Sequence, residues 1–431
     1  MANVRHGPDI RPVSAASAAS RRAGGDVVAE PATPPLFSSP TTEAGLPGAR
    51  GCGEPWHYRN NSSADAAEQA GRQSWRYGLM EVLWRYSGLK TAPRGDGKPQ
   101  FTVRRCRRVT LGSGFAEIRQ RDGNPYLSGV YRCASIHGCP LCGSVIRSGR
   151  AAAISEGAGR WLQAGNSILF ASFTFPHDRG MPCAAGREVV SKGWSHMTAG
   201  RAWVDLKASV PVVGYHRSVE FTYGENGWHP HIHSMIYLEG AVTAEQYAQV
   251  RLYLERSWRA WARLRGLRRP SDAHGVDVGI CVSGVDVGNY IAKTQEGRAV
   301  GNELVRGDLK AARHRSRTPF QILDDFRVNG DKSQLALWLE YEQATKGLRA
   351  ITSSRGLPEI LGVPEQTDDE LAAENRDGEA VALVPVETWN QVTARTGLTW
   401  QLLDAAGCGG LEAVNAVLAA HGLGLARTPP G

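Results

Sequence analysis

Apolar and polar positions alternate along the chain in two distinct rhythms. Between positions 56 and 98, Trp, Tyr, Leu and Met recur at helical spacing, as in "QSWRYGLMEVLWRYSGL", and the breaker-rich "APRGDGKP" ends that run. A basic, β-branched stretch follows, "FTVRRCRRVTLGSG", and then a cysteine-rich one, "YRCASIHGCPLCGSVIR". "SILFASFTF" (167–175) has the composition of a strand and stops at Pro176. "VVGYHRSVEFTY" and "WHPHIHSMIYL" read as two more strands joined by "GENG", which makes a hairpin. "TAEQYAQVRLYLERSWRAWARLRG" is an amphipathic helix with Thr243 at its N-cap and Gln246 placed to reach back. "HGVDVGICVSG" is a short strand, and "VDVGNYIAKTQ" opens another helix. Further on, "QLALWLEYEQATKGLRAI" is helical, "EQTDDELAAENRDGEA" is a solvated acidic linker and helix surface, and a strand with two short helices follows from Val381. Helices that alternate with strands, with a hairpin among the strands, predict an α+β fold on a largely antiparallel sheet.

Composition divides the chain further. Residues 1–55 are rich in Ala, Ser, Gly, Pro and Thr and read as a disordered tail. Residues 56–150 form a helical, cysteine-rich segment, 151–334 carry the strands, and 335–431 are mainly helical. No run of about 18 apolar residues stands out and the N-terminus lacks a signal-peptide core, so the expectation is a cytoplasmic protein without a membrane partner. Eight cysteines in 431 residues do not make a disulfide scaffold; clustered in a reducing compartment, they suggest metal ligands. A net charge of +8 suits a polyanionic partner such as nucleic acid.

Three of the twelve histidines fall within five positions, His229, His231 and His233. On a strand these share one face with Met235 and Tyr237, while Ile232, Ser234, Ile236 and Leu238 take the other. Two imidazoles at i and i+2 sit ~7 Å apart and point the same way, which suits two ligands of one divalent ion. If the hairpin turns at "GENG", residues whose numbers sum to about 451 face each other, and Glu220 lies opposite His231. A carboxylate added to two histidines suits Mg²⁺ or Mn²⁺ better than structural zinc. Pro230 argues against a regular ladder at that point, since proline in a strand marks an edge or a bulge. The bland alternative is a row of surface histidines on an open sheet face.

"VDVGNYIAKT" places Tyr290 and Lys293 on one helix face, with Asp286 four residues before the tyrosine. A tyrosine can be a covalent nucleophile toward phosphorus, a lysine can offset developing charge, and an aspartate can activate water or a 3′-hydroxyl. Alone, this spacing also fits a packed tyrosine beside a snorkelling lysine.

Together, "FASFTFPH", "GWHPHIHSMIYL" and "VDVGNYIAKT" resemble the three motifs of the HUH endonucleases, and more narrowly the rolling-circle replication initiators of actinobacterial plasmids. The resemblance runs from about Arg104 to about Arg355. It implies an HUH-type central antiparallel sheet flanked by helices over 151–334, with a zinc-binding insertion. It also implies a metal held by His231, His233 and Glu220, with His177 a second-rank candidate and His229 a weaker one. Tyr290 would attack a phosphodiester of a single-stranded or hairpin origin, leaving a 5′-phosphotyrosine link and a 3′-hydroxyl that primes synthesis. Host helicase and polymerase are the implied partners. Asp286 stands where this group usually carries Glu. A transposase of the same chemistry and a zinc-stabilised, non-catalytic DNA-binding regulator are the alternatives.

Cys139 and Cys142 form C-P-L-C, and with Cys133 and Cys106 they suit a tetrahedral structural zinc, with His137 as an alternative ligand. Arg104, Arg105, Arg107 and Arg108 flank Cys106 and are candidate phosphate contacts. Arg256, Arg259 and Arg263 line one side of the 243–266 helix near Trp258 and Trp261, where base stacking competes with core packing.

Overall fold

In the computed structural model, residues 63–88, 102–281, 316–363, 365–373 and 378–429 are described. The first helix, α1 (Ser63–Tyr86), buries Tyr77, Leu79, Met80, Leu83 and Trp84. After a 3₁₀ turn at Val103–Arg105 come β1 (Phe115–Arg121) and β2 (Asn124–Ser128), an antiparallel hairpin turning at Asp122 and Gly123. Both turn residues have positive φ, 51° and 77°. That is the primed-turn geometry that an Asp-Gly pair favours. The long helix α2 (Pro140–Gln163) leads to β3 (Ser167–Phe173), then α3 (Cys183–Ala199) and α4 (Arg201–Ser209).

The hairpin of β4 (Val212–Gly224) and β5 (Gly227–Leu238) follows, then α5 (Ala244–Leu264) and β6 (Val276–Ile280). α5 starts with the expected capping box, Thr243 accepting from the Gln246 N–H and Gln246 accepting from the Thr243 N–H. After the segment 282–315 come α6 (Pro319–Asn329), α7 (Lys332–Ala344) and a short strand, β7 (Ile351–Ser353). The helix expected over 334–351 therefore stops early. Gly347, at φ 69°, turns the chain, and 351–353 join the sheet edge instead. The last elements are α8 (Leu357–Ile360), α9 (Asp368–Ala373), β8 (Glu379–Pro385), α10 (Val386–Ala394) and α11 (Leu398–Ala420).

The strands form two antiparallel sheets, so the α+β architecture expected from the pattern is what folds. The larger has the order β6-β3-β5-β4-β7 and the smaller β2-β1-β8. α11 is long and apolar enough to cross a membrane by length and composition. It is broken at Gly409 and Gly410 by non-helical dihedrals and packs on β8 and β2.

One face of the larger sheet is buried by α3 and α5. Phe173 meets Trp194 and Trp258 edge-on, with ring centroids 5.7 and 5.5 Å apart. Trp258 and Trp261 are core residues whose indole N–H groups donate to the carbonyls of Thr174 and Val189. They are thus not available to stack on bases. Gly193 lets α3 and α5 approach: a Cβ there would lie 2.5 Å from Trp258 and 2.7 Å from Trp261. Gly193→Ala is expected to lower the unfolding free energy by about 1–3 kcal/mol through overpacking. Urea unfolding followed by tryptophan fluorescence measures this, and an unchanged midpoint would contradict the packing described.

Candidate metal centres

The β4–β5 hairpin turns in two residues, Glu225 and Asn226, between the paired Gly224 and Gly227. Gly227 has φ 85°, and a Cβ on it would lie 3.0 Å from the Arg179 backbone, so both conformation and space require glycine. This turn fixes the register in which Glu220 faces His231 and Ser218 faces His233. Pro230 does not disturb it. β3 pairs with β5 only over 232–238, so no neighbour on that side loses a bond, and the proline ring packs against Gly186 instead.

Glu220, His231 and His233 form a group whose ligand atoms all lie within 4.8 Å of one another and that can hold a metal ion. The Nε2 atoms of His231 and His233 lie 3.2 and 3.5 Å from the same oxygen, Glu220 Oε2. His231 Nδ1 faces the His229 carbonyl at 3.3 Å, and a carbonyl only accepts, so Nδ1 carries the proton and Nε2 presents a lone pair. His233 Nδ1 lies 2.9 Å from Ser172 Oγ, which can accept in the same way. Two imidazole lone pairs then converge on a carboxylate, an arrangement that a shared cation stabilises. Glu220 Oε1 is buried and has no hydrogen-bond partner, which fits the same requirement. When protonated at Nε2 instead, His233 and His231 donate to the carboxylate, and against the burial that works to raise it they hold the Glu220 pKa well below the usual carboxylate range.

His229 shares the face but is engaged elsewhere. Its Nδ1 lies 2.7 Å from His177 Nε2, and His177 Nδ1 donates to the Asn226 carbonyl at 2.9 Å. Burial, then the neighbouring His231, His177 and His233, push the His229 pKa down to about 3. His177 and His229 thus brace the hairpin end beside the three-ligand group. Ser172, one strand over, carries no sequence signal beyond its place in β3. Tyr290, Lys293 and Asp286 lie outside the described residues.

The second group is Cys106, Cys133, Cys139 and Cys142, whose sulfurs also all lie within 4.8 Å of one another. Cys106 Sγ is 3.6 Å from Cys142 Sγ and 3.8 Å from Cys139 Sγ. Tetrahedral Zn–S bonds of ~2.3 Å place sulfurs ~3.8 Å apart. Cys139 is the N-cap of α2 and accepts from the Cys142 N–H, which builds the knuckle. Burial pushes the Cys133 and Cys139 thiols well up, while hydrogen bonds from the other three cysteines pull the Cys142 thiol well down. His137 is not part of this group; its Nδ1 faces the Tyr341 hydroxyl at 3.1 Å.

The basic run around Cys106 divides. Arg104 and Arg105 are exposed and Arg108 is half-buried, with its guanidinium 5.5 Å from the Trp84 ring. Arg107 corrects the expectation of a phosphate contact. It is buried, and Nη1 donates to the Leu127 carbonyl at 2.9 Å. Its φ of 63° reverses the side chain relative to its neighbours. On α5, Arg256 and Arg263 are exposed, while Arg259 is tied to Glu255 and Asp272.

The protein called Protein rep from Streptomyces lividans is 31% identical to this chain over a 352-residue alignment that covers 66% of this chain and 77% of that protein. The chain belongs to the Rep protein family. No protein-family model matches it, and no solved structure does. In this Rep chain the cysteine group lies at the α2 N-terminus and in the loops before it, and the Glu/His group on the larger sheet, so the two candidate metal centres are built from separate elements.

His216 continues the Glu220 face of β4, beside Ser218, whose buried hydroxyl also has no partner. His216 Nδ1 bonds Ser353 Oγ at 2.8 Å, its Nε2 is buried without a partner, and burial pushes its pKa down to about 4. The folded state therefore resists a proton that the unfolded chain accepts near 6.5. Stability present at neutral pH falls as pH drops from about 6.5 through about 4, by about 3 kcal/mol for this group. Unfolding free energies at pH 7 and pH 4.5 should accordingly fall less in His216→Phe than in the parent. Equal pH dependence in the two would contradict the neutral, buried imidazole.

Proposed function

We propose that this Rep-family chain is a replication initiator that nicks a single-stranded or hairpin origin through Tyr290. The observation that carries this reading is the convergence of Glu220, His231 and His233 on one sheet face, with Glu220 Oε2 between the two Nε2 atoms and Oε1 buried without a partner. Three ligands of this type suit a Mg²⁺ or Mn²⁺ ion, which when bound polarises a phosphodiester and offsets charge at the scissile phosphate. The membership in the Rep family supports the role in replication.

In this mechanism His231 and His233 present Nε2 because the His229 carbonyl and the Ser172 hydroxyl hold the Nδ1 protons. The Tyr290 oxygen attacks phosphorus, the bond to the 3′-oxygen breaks, and the tyrosyl proton goes to solvent or to that leaving oxygen. The products are a 5′-phosphotyrosine link and a 3′-hydroxyl. Lys293, three residues on, adds positive charge at the phosphate, and Asp286 takes a proton from the water or hydroxyl that later releases the strand. Arg104, Arg105 and Arg108 hold the DNA backbone through the phosphates. The cysteine group would hold a structural zinc that ties the chain at Cys106 and Cys133 to the α2 N-terminus. Origin DNA is the substrate; a host helicase separates the strands and a host polymerase extends the exposed 3′-end.

The test is a covalent-adduct assay. Purified protein with Mn²⁺ or Mg²⁺ is incubated with single-stranded oligonucleotides tiling the DNA around its own gene, and adducts are resolved on a denaturing gel. The expected outcome is an adduct from one tile, absent in Tyr290→Phe and reduced at least 100-fold in His231→Ala. Ser172→Ala should keep the adduct at saturating metal but require about 10–100-fold more Mn²⁺ for half-maximal yield. An adduct that survives in Tyr290→Phe would assign the nucleophile elsewhere. Origin binding without any adduct would favour the regulator.

A further inference from the structure

Arg107 and Arg132 each sit one residue from a cysteine of the four-sulfur group, Cys106 and Cys133. Both side chains turn inward. Arg107 is 7% exposed, and its backbone N–H is tied to the Tyr131 carbonyl at 2.8 Å. Its Nη1 donates to the Leu127 carbonyl at 2.9 Å, and Nε has no partner. Arg132, half-buried, donates to the same Leu127 carbonyl at 3.2 Å and to the Ala372 carbonyl. Two guanidiniums thus converge on one carbonyl oxygen, and neither meets a carboxylate among the described residues.

A guanidinium stays charged in a protein, so burial without an anion is strongly unfavourable. Carbonyl oxygens satisfy some N–H groups but do not cancel charge. Four neutral thiols, or two disulfides, would leave two positive charges uncompensated here. Four thiolates around one divalent ion carry two net negative charges, which two arginines balance.

We propose that Arg107 and Arg132 are positioning residues for a divalent tetrathiolate centre at Cys106, Cys133, Cys139 and Cys142, and that together they neutralise its net charge. The proposal rests on the metal-binding reading of the cysteine group. It also gives a physical reason for the left-handed backbone at Arg107. That conformation, uncommon for a side chain with a Cβ, sends Arg107 into the protein, whereas Arg104 and Arg105 face solvent. Arg→Lys is not a neutral exchange at this place, because an ammonium lacks the planar fork with which these side chains reach the Leu127 carbonyl.

The experiment loads the full-length chain with Co²⁺, whose sulfur-to-metal charge-transfer absorption reports the thiolate site and not the Glu/His group. Affinity is read by chelator competition, and the pH at which the band disappears is recorded for the parent, Arg107→Met, Arg132→Met, Arg107→Lys and Cys142→Ser. Each methionine variant should bind about tenfold or more weakly and lose the metal at a higher pH, since protons compete better for less stabilised thiolates. Arg107→Lys should recover part of the affinity. Parent-like affinity and pH midpoint in both methionine variants, with parent-like far-ultraviolet circular dichroism, would overturn the arginine assignment and leave the metal site standing. A parent chain with no band that Cys142→Ser removes would overturn the metal site and this proposal together. Should Arg107→Met fail to fold, the half-buried Arg132→Met carries the comparison.

Discussion

The hydrogen-bond register of β4 against β5 is the constraint on which the chemistry of the larger sheet depends. A slip of one residue would send Glu220 to the opposite face from His231 and His233, and the group would cease to exist. A two-residue turn leaves little freedom for such a slip. Gly227 holds it with a positive φ and a close approach to Arg179 that no other residue tolerates. On the reverse face of the sheet, Phe173 pairs with Ile232 and meets Trp194 and Trp258. The same register that gathers the polar ligands on one side therefore gathers the core on the other. Apolar burial, which is the larger energy, pins a polar geometry that could not hold itself together.

The strand neighbours then refine the site. β3 brings Ser172 beside His233, and the His229 carbonyl faces His231, so each imidazole has Nδ1 engaged and turns Nε2 to Glu220. Tautomer choice is thereby a property of the sheet and not of the histidines themselves. Farther down the same face the polar column continues through Ser218 and His216, where it meets β7. β7 lies more than a hundred residues along the chain from β4, and its Ser353 holds His216.

The cysteine group follows a parallel logic at the α2 N-terminus and in the loops before it, against which α1 packs. Trp84 of α1 donates to the Cys106 carbonyl at 2.9 Å, and the α2 N-terminus supplies Cys139 and Cys142. Arg107 and Arg132 approach from the protein side and share the Leu127 carbonyl. The sheet that carries Leu127 is completed by β8, so the C-terminal part of the chain supports the surroundings of the cysteines.

Local pattern made much of this legible. The hairpin, its register, the Glu220–His231 pairing, the capped helix 243–264 and the four-cysteine set all follow from spacing within short stretches, because turn length and side-chain alternation are local geometry. The "RDGN" turn of the β1–β2 hairpin carries the same kind of signal, an Asp-Gly pair between two strands. Other features had no local signature. Whether Arg107 faces solvent or the cysteines depends on a single backbone dihedral and on what Leu127 offers, and a run of arginines reads as a phosphate-binding surface until that is known. The pairing of β8 with β1, the capture of 351–353 as an edge strand and the choice of Ser172 as a hydrogen-bond partner join residues far apart in the chain. Such contacts are selected by the total burial of the folded chain, so the sequence by itself determined the ligand sets, and only the tertiary structure decided what surrounds and orients them.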